Sequence, residues 1–379
     1  MKTEQMFWTA EKGWSSGLPG VLGGKAQLVL VFGSTGVLRE RGIIEEVRRA
    51  YPGARLFGCS TAGEIVDTRV LDSTLVVTAV QFEGTRIEGA RVRLDEVGES
   101  FAAGRRLAQQ IEQEGLTLVL VLSDGLRVNG SELVAGLTQH LPPDVAITGG
   151  LAGDGARFEQ TLVLCDDVPE QGVIGVVGLY GDQLRVGYGS LGGWDSFGPE
   201  RLITRAQGNV LYELDGKSAL QLYKTYLGDH ARGLPATALL FPLSVRGEEG
   251  AEPVVRTILS IDEREQSMTF AGDLPEGAYA RLMKANFDQL VDGATDAARM
   301  SYEAVGSVSP DLAILISCVG RKLVLKQRIE EEVESVREIL GERPALTGFY
   351  SYGEISPFTP GARCELHNQT MTITTFSER

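Results

Sequence analysis

Three apolar runs stand far apart in the chain: Leu28–Phe32, Leu118–Leu122 and Leu312–Ile316. Each is an unbroken stretch of Leu, Val, Ile, Ala or Phe rather than an alternation, which predicts strands of a parallel sheet buried on both faces. A polar turn and then a helical period follow each run. The first helix is predicted over Val37–Ala50, with Ile43, Ile44 and Val47 on one face. The second is predicted over Ser131–His140, and the third over Arg328–Leu340 with a stripe of Ile329, Val333, Val336 and Leu340. After each helix comes a short strand that runs into a glycine turn ending in an acid.

Those turns align. Gly58-Cys-Ser-Thr-Ala-Gly-Glu-Ile65 and Gly348-Phe-Tyr-Ser-Tyr-Gly-Glu-Ile355 share one pattern, and Thr148-Gly-Gly-Leu-Ala-Gly-Asp154 keeps its Gly-acid ending. A further strand is predicted to close each unit, at Ser73–Val77, Gln160–Leu164 and Gln369–Ile373. Between the second and third units, roughly 182–306, the pattern changes. Leu184–Tyr188, Val254–Ile261 and Gln266–Phe270 read as antiparallel strands, and Glu276–Asp292 with the segment to Val305 as helical. The expected fold is α/β: mixed or parallel sheets covered by helices, in three strand–helix–strand–turn–strand units, with an α+β insertion between units two and three.

This arrangement has a chemical consequence. Crossovers are right-handed, and ligands of such sheets bind beyond the carboxyl ends of the strands. Ser34, Asp124 and Cys318 follow the first strand of each unit and are expected on that rim. So are the second-strand turns, which contribute Cys59, Ser60, Thr61 and Glu64, then Gly149, Gly150 and Asp154, then Tyr352, Gly353 and Glu354. Glutamate there could hold a ligand amine, and Arg321 a carboxylate in bidentate fashion, a pairing that suits an amino acid and equally a structural salt bridge. The acids could equally cap nearby amides of their own turns.

Composition narrows the function classes. The chain has 379 residues and a formal net charge of −15, which disfavours a phosphate backbone as partner. No apolar run approaches the roughly 20 residues that cross a bilayer, and Met1–Trp14 has no apolar signal core, so a cytoplasmic protein is expected. The four cysteines and three histidines show no zinc-ligand spacing. There is no G-x-S-x-G elbow, no Walker A loop and no full G-x-G-x-x-G. Cys59 and Cys318 leave a thiol enzyme open, although no histidine lies near either in sequence, and a small buried side chain is the plainer reading of Cys318. Glycine is high at 47 residues and falls largely on the turns rather than in a linker.

Leu28–Gly36 with Gly58–Ile65 resembles the N-terminal half of FIST sensory proteins. Tyr212–Lys217 through Tyr223, Ser317–Arg321, Gly348–Ile355 and Leu366-His-Asn-Gln-Thr370 resemble the FIST C-terminal half. The likeness covers about 28–375. It divides the chain into an N-terminal extension (1–27), a FIST N-terminal domain (28–210) and a FIST C-terminal domain (211–379), the boundary near 205–215 being soft. It implies an intracellular, non-enzymatic sensor of a small ligand, with amino acids as proposed ligands, that signals to a separate partner such as a histidine kinase. Among stand-alone members, the nitric-oxide-sensing group binds haem. His367 takes the alignment position of Leu71 and Phe158, so a polar ring stands where sister units are apolar. It reads either as a hydrogen-bonded structural histidine beside Asn368 or, on the resemblance, as the axial ligand of a non-covalent haem b. His140 and His230 are the alternative ligands.

Overall fold

A computed structural model describes residues 1–234, 236–247, 253–358 and 361–378. Mixed sheets and helices make an α/β architecture. Three six-stranded sheets share one plan. At the centre of each lies a parallel pair: Leu28–Gly33 with Arg55–Ser60, Leu116–Ser123 with Ala146–Leu151, and Leu312–Cys318 with Ala345–Ser351. An antiparallel strand flanks the first member of each pair: Thr74–Gln81, Val173–Tyr180 and Met371–Glu378. Next to that comes a fourth strand, Lys2–Thr9, Arg86–Arg93 or Leu184–Leu191. Only the central pair is parallel, so the sheets are mixed.

The sheets are also exchanged with one another. The first sheet's turn sends Glu64–Val66 to pair with Ala345–Ser351 of the third. The third sends Gly353–Pro357 to Ala146–Leu151 of the second. The second sends Val163–Cys165 to Arg55–Ser60 of the first. The strand expected at Gln160–Leu164 therefore does not close its own unit. Val173–Tyr180 does that, with eight consecutive buried residues.

The inner faces of the three sheets meet in one apolar cluster that includes Leu30, Phe32, Leu120, Leu122, Ile314, Ile316 and Phe349. Phe32 and Phe349 pack with ring centroids 4.8 Å apart. Helices cover the outer faces. Arg41–Ala50 buries Ile43, Ile44 and Val47, each contributing about 1.5–3 kcal/mol by leaving water. The predicted helix 37–50 is broken at Glu40 into Thr35–Leu38 and Arg41–Ala50. Helices Gly130–Thr138 and Ile329–Leu340 lie where periodicity places them.

Asp195–Lys284 supplies a separate eight-stranded sheet with its own core around Leu211, Tyr223, Met268 and Phe270. The helix expected at Glu276–Asp292 is instead the strand Tyr279–Lys284 followed by the helix Phe287–Ala304. Ala280 and Leu282 alternate inward in the strand, and the Asn286 side chain accepts from the Gln289 amide to start the helix.

Candidate functional site

The carboxyl ends of the parallel strands lie together, and the three glycine turns interlock there through main-chain bonds. The Ala62 amide donates to the Tyr350 carbonyl at 2.8 Å, the Tyr350 amide to the Gly63 carbonyl at 2.8 Å, and the Gly153 amide to the Ser60 carbonyl at 2.8 Å. A Cβ on Gly153 would stand 2.9 Å from the Ala62 nitrogen, so glycine is what lets two turns touch.

Most of the residues expected to line a ligand are consumed by this closure. Glu64 accepts from the Thr61 hydroxyl and from the Thr74 hydroxyl (2.7 Å) and amide (3.2 Å). Glu354 repeats the arrangement with Ser351 and with the Thr370 hydroxyl (3.0 Å) and amide (3.2 Å). Asp124 accepts from the Leu126, Arg127 and Gly172 amides and from Thr161, bracing the loop after its strand. The Ser60 hydroxyl receives the Leu162 amide at 2.8 Å. Gly149, Gly150 and Gly353 sit against backbone or apolar side chains. Ser34 is half-buried, and its amide bonds the Thr74 carbonyl at 3.1 Å. Arg321 is fully buried and spends its donors on Glu332 and on the Gly192 and Leu290 carbonyls. Cys59 and Cys318 are buried, and burial pushes both thiols up, away from the thiolate that nucleophilic chemistry needs.

One open site remains beside the rim. A cleft of about 240 Å³ lies between the loop Gly125–Asn129 of the second sheet and Asn209, Leu259 and Ala271–Gly272 of the insertion. Tyr352 and Phe158 stack on its wall, with centroids 4.5 Å apart and planes at 14°. The Tyr352 hydroxyl bonds Asp154 and the Gly155 carbonyl. Burial opposes ionisation of Asp154, but donors from Tyr352 and the Gln160, Glu159 and Phe158 amides outweigh it and hold the carboxyl below its usual range. The Asn129 carboxamide ties core to insertion by donating to Asp273 at 3.0 Å. Leu126, Phe158 and Leu259 are 38%, 39% and 44% exposed, three large apolar side chains left at one opening. Of the residues expected from sequence, only Tyr352 lines this cleft, with Asp154 and Asp124 bracing it from behind. The others on the wall carried no sequence signal, because an exposed Leu or Asn is informative only beside its neighbours.

Residues 27–217 match the FIST N domain and residues 219–357 the FIST C domain. The chain belongs to the FIST family. FIST domains are associated with sensing in signal transduction and are not known as enzymes. A relative, the uncharacterized protein MJ1623 of Methanocaldococcus jannaschii, is 24% identical over 348 residues. The match takes in 82% of this chain and spans 63% of the relative's length. Among solved structures, a chorismatase (11% identity, TM-score 0.38, 98% of each chain) is similar at low level. So is a cyanuric acid hydrolase from A. caulinodans (8% identity, TM-score 0.37, 100% of this chain and 98% of that one). At such scores neither likeness assigns an activity.

The FIST resemblance also raises haem, with His367, His140 and His230 as the candidate axial ligands. His367 is buried, and its Nε2 lies 2.9 Å from the Ser356 carbonyl, which makes that nitrogen the donor and leaves Nδ1 as the atom that would meet an iron. Its ring stands 5.4 Å from that of Phe358. The Nδ1 of His140 lies 2.9 Å from the Gly136 carbonyl, and His230 is exposed beside Phe241. Among the described residues no cluster of three His, Cys, Asp or Glu could hold a metal, and no helix is long and apolar enough to cross a membrane.

The buried acids of the rim set a pH dependence. Burial pushes Glu64 up to about 7 and Glu354 up to about 8, against the hydroxyl and amide donors that favour their ions. Burial pushes His367 down to about 4. A buried acid with a raised folded pKa loses stability as pH rises through that pKa. A histidine with a depressed one gains stability only up to its ordinary value of about 6.5. Between pH 6.5 and 8 the glutamates alone remain, and stability is expected to fall by about 2 kcal/mol. Urea denaturation at the two pH values measures it, with Glu354→Gln removing more than half of the drop. Equal midpoints for the natural protein would contradict the assignment.

Proposed function

We propose that this FIST protein is a non-enzymatic sensor that binds a small molecule in the cleft between the Gly125–Asn129 loop and the insertion. Its signal would pass to a separate partner, a histidine kinase being the class the family resemblance suggests. The observation that carries the reading is the lining itself, which comes from two independently cored bodies. A ligand touching both binds best when insertion and core hold one relative position, so it shifts that population. Drug-sized ligands fill pockets of roughly 300–1,000 Å³, so a cleft of about 240 Å³ suits something smaller. A stacked aromatic wall and exposed apolar side chains suit an apolar end, and Arg127 on the same lining suits a carboxylate, which together make an amino acid the ligand class to test.

Calorimetric titration of the full chain with the common amino acids tests this. One or more should bind, and Phe158→Ala should weaken that binding by about tenfold through loss of the ring's contact. If none of them binds, or if affinity is the same without the Phe158 ring, the reading fails.

A further inference from the structure

A second cleft, of about 410 Å³, lies between the helix Gly130–Thr138 and the insertion. Val134 and Ala135 of the helix and Val245, Val254 and Pro275 of the insertion give it apolar walls. It shares no residue with the cleft beside Tyr352 and Phe158. Arg256 and Arg363 border it as well.

Two arginines are buried among the described residues, and their surroundings differ. Arg321 has the Glu332 carboxylate at 2.8 Å. Arg256 is 7% exposed and meets only main-chain acceptors. Its Nε donates to the Asp273 carbonyl at 3.2 Å, and its NH1 to the Leu366 and Val255 carbonyls at 2.9 Å and 3.4 Å. Its NH2 has no acceptor, and the guanidinium no ion-pair partner, among the described residues. A Cβ on Gly272 would stand 2.8 Å from Nε, so the bare main chain of that glycine admits the guanidinium to its place. Burial pulls Arg256 down to about 10, against the field of Glu365 and Asp273, and so leaves it charged at neutral pH. Carbonyls satisfy its N–H groups without cancelling its charge, and a buried charge without a counter-charge is costly. Asp273 does not supply one, since it lies beyond ion-pair distance and already accepts from Asn129 at 3.0 Å. Arg363, exposed on the same lining, also has no ion-pair partner among the described residues.

We infer that this cleft is a second binding site, for a small monocarboxylate with an apolar body. The carboxylate supplies the counter-charge at Arg256 NH2, and the body covers Val134, Val245 and Val254. Asp273 and Glu365 on the same lining disfavour a more highly charged anion such as phosphate. An uncharged molecule leaves Arg256 without its counter-charge. The volume falls within the roughly 300–1,000 Å³ of small-molecule pockets.

Calorimetric titration of the full chain at neutral pH with hexanoate, hexanol and inorganic phosphate is the test. Hexanoate should bind saturably, and hexanol and phosphate about tenfold more weakly or not at all. Arg256→Met should lower hexanoate affinity about tenfold or more. If that variant does not fold, Ala135→Glu decides: it brings a carboxylate of the chain's own to the cleft from the helix and should abolish hexanoate binding. Phe158→Ala should leave hexanoate binding in place, which separates this site from the amino-acid cleft. No binding of hexanoate, equal binding of hexanol or phosphate, or an affinity that neither Arg256→Met nor Ala135→Glu changes overturns the site. Glu248, Glu249 and Glu252 lie outside the described residues. If hexanoate binds only after all three are replaced by Gln, Arg256 is their partner and the site is overturned.

Discussion

Glu332→Ala is expected to cost about 3–5 kcal/mol, because it leaves a guanidinium buried without its counter-charge. Glu332 and Arg321 are both 0% exposed. The carboxylate takes Arg321 Nε at 3.0 Å and NH2 at 2.8 Å, Ser317 at 3.2 Å and the Tyr350 hydroxyl at 2.6 Å. Arg321 in turn donates to the Leu290 carbonyl at 2.7 Å and to that of Gly192. One ion pair thus joins both parallel strands of the third sheet to three helices and to the entry of the insertion. The double variant Arg321→Met with Glu332→Leu should recover much of the loss, since well-packed apolar replacements of buried pairs are often neutral. Chemical denaturation reads both. A single-variant loss under about 1 kcal/mol would show that water reaches the pair.

The second large effect is expected at Gly58 and Gly348. A Cβ at either would stand 1.8 Å from a main-chain carbonyl oxygen, that of Val31 or of Leu315, and at Gly149 1.9 Å from that of Val121. The obstacle is the backbone of the paired central strand, which cannot rotate aside as a side chain can. Gly58→Ala and Gly348→Ala should each destabilise by about 3 kcal/mol or more, at the top of the range for overpacking. Gly53→Ala is a different control, since nothing lies within 4 Å of a Cβ there and only its φ of +86° opposes the change. Its cost should be near 1 kcal/mol. Melting curves that rank Gly53→Ala with Gly58→Ala would refute the close-packing account.

These effects bear on function through one geometry. The rim that ends the parallel strands is closed by glycine contacts, and the cleft beside it opens where the insertion stands off the second sheet. That makes the insertion the moving part in the sensing proposal, and the Asn129–Asp273 contact its tie to the core.

Local pattern alone located the central strands. Leu28–Phe32, Leu118–Leu122 and Leu312–Ile316 are continuous apolar runs, and such runs are stable only when covered on both faces. The acidic turns were legible for a similar reason, since a repeated glycine followed by an acid reports a backbone need that neighbouring residues share. Which sheet each hairpin joins was not legible. Glu64–Val66 would hydrogen-bond as well in its own sheet, and packing among the three sheets alone sends it to the third. The roles of charged residues were decided at the same level. Arg321 reads in sequence equally as a ligand's carboxylate binder and as half of a structural salt bridge, and the partner that decides for the salt bridge, Glu332, sits eleven residues on in a run of three glutamates. One of those three faces inward because the helix turns it there. Sequence specifies which residues must be buried or must bend, and tertiary packing specifies which buried charges meet and where the surface is left open, because both depend on distances that the local pattern does not contain.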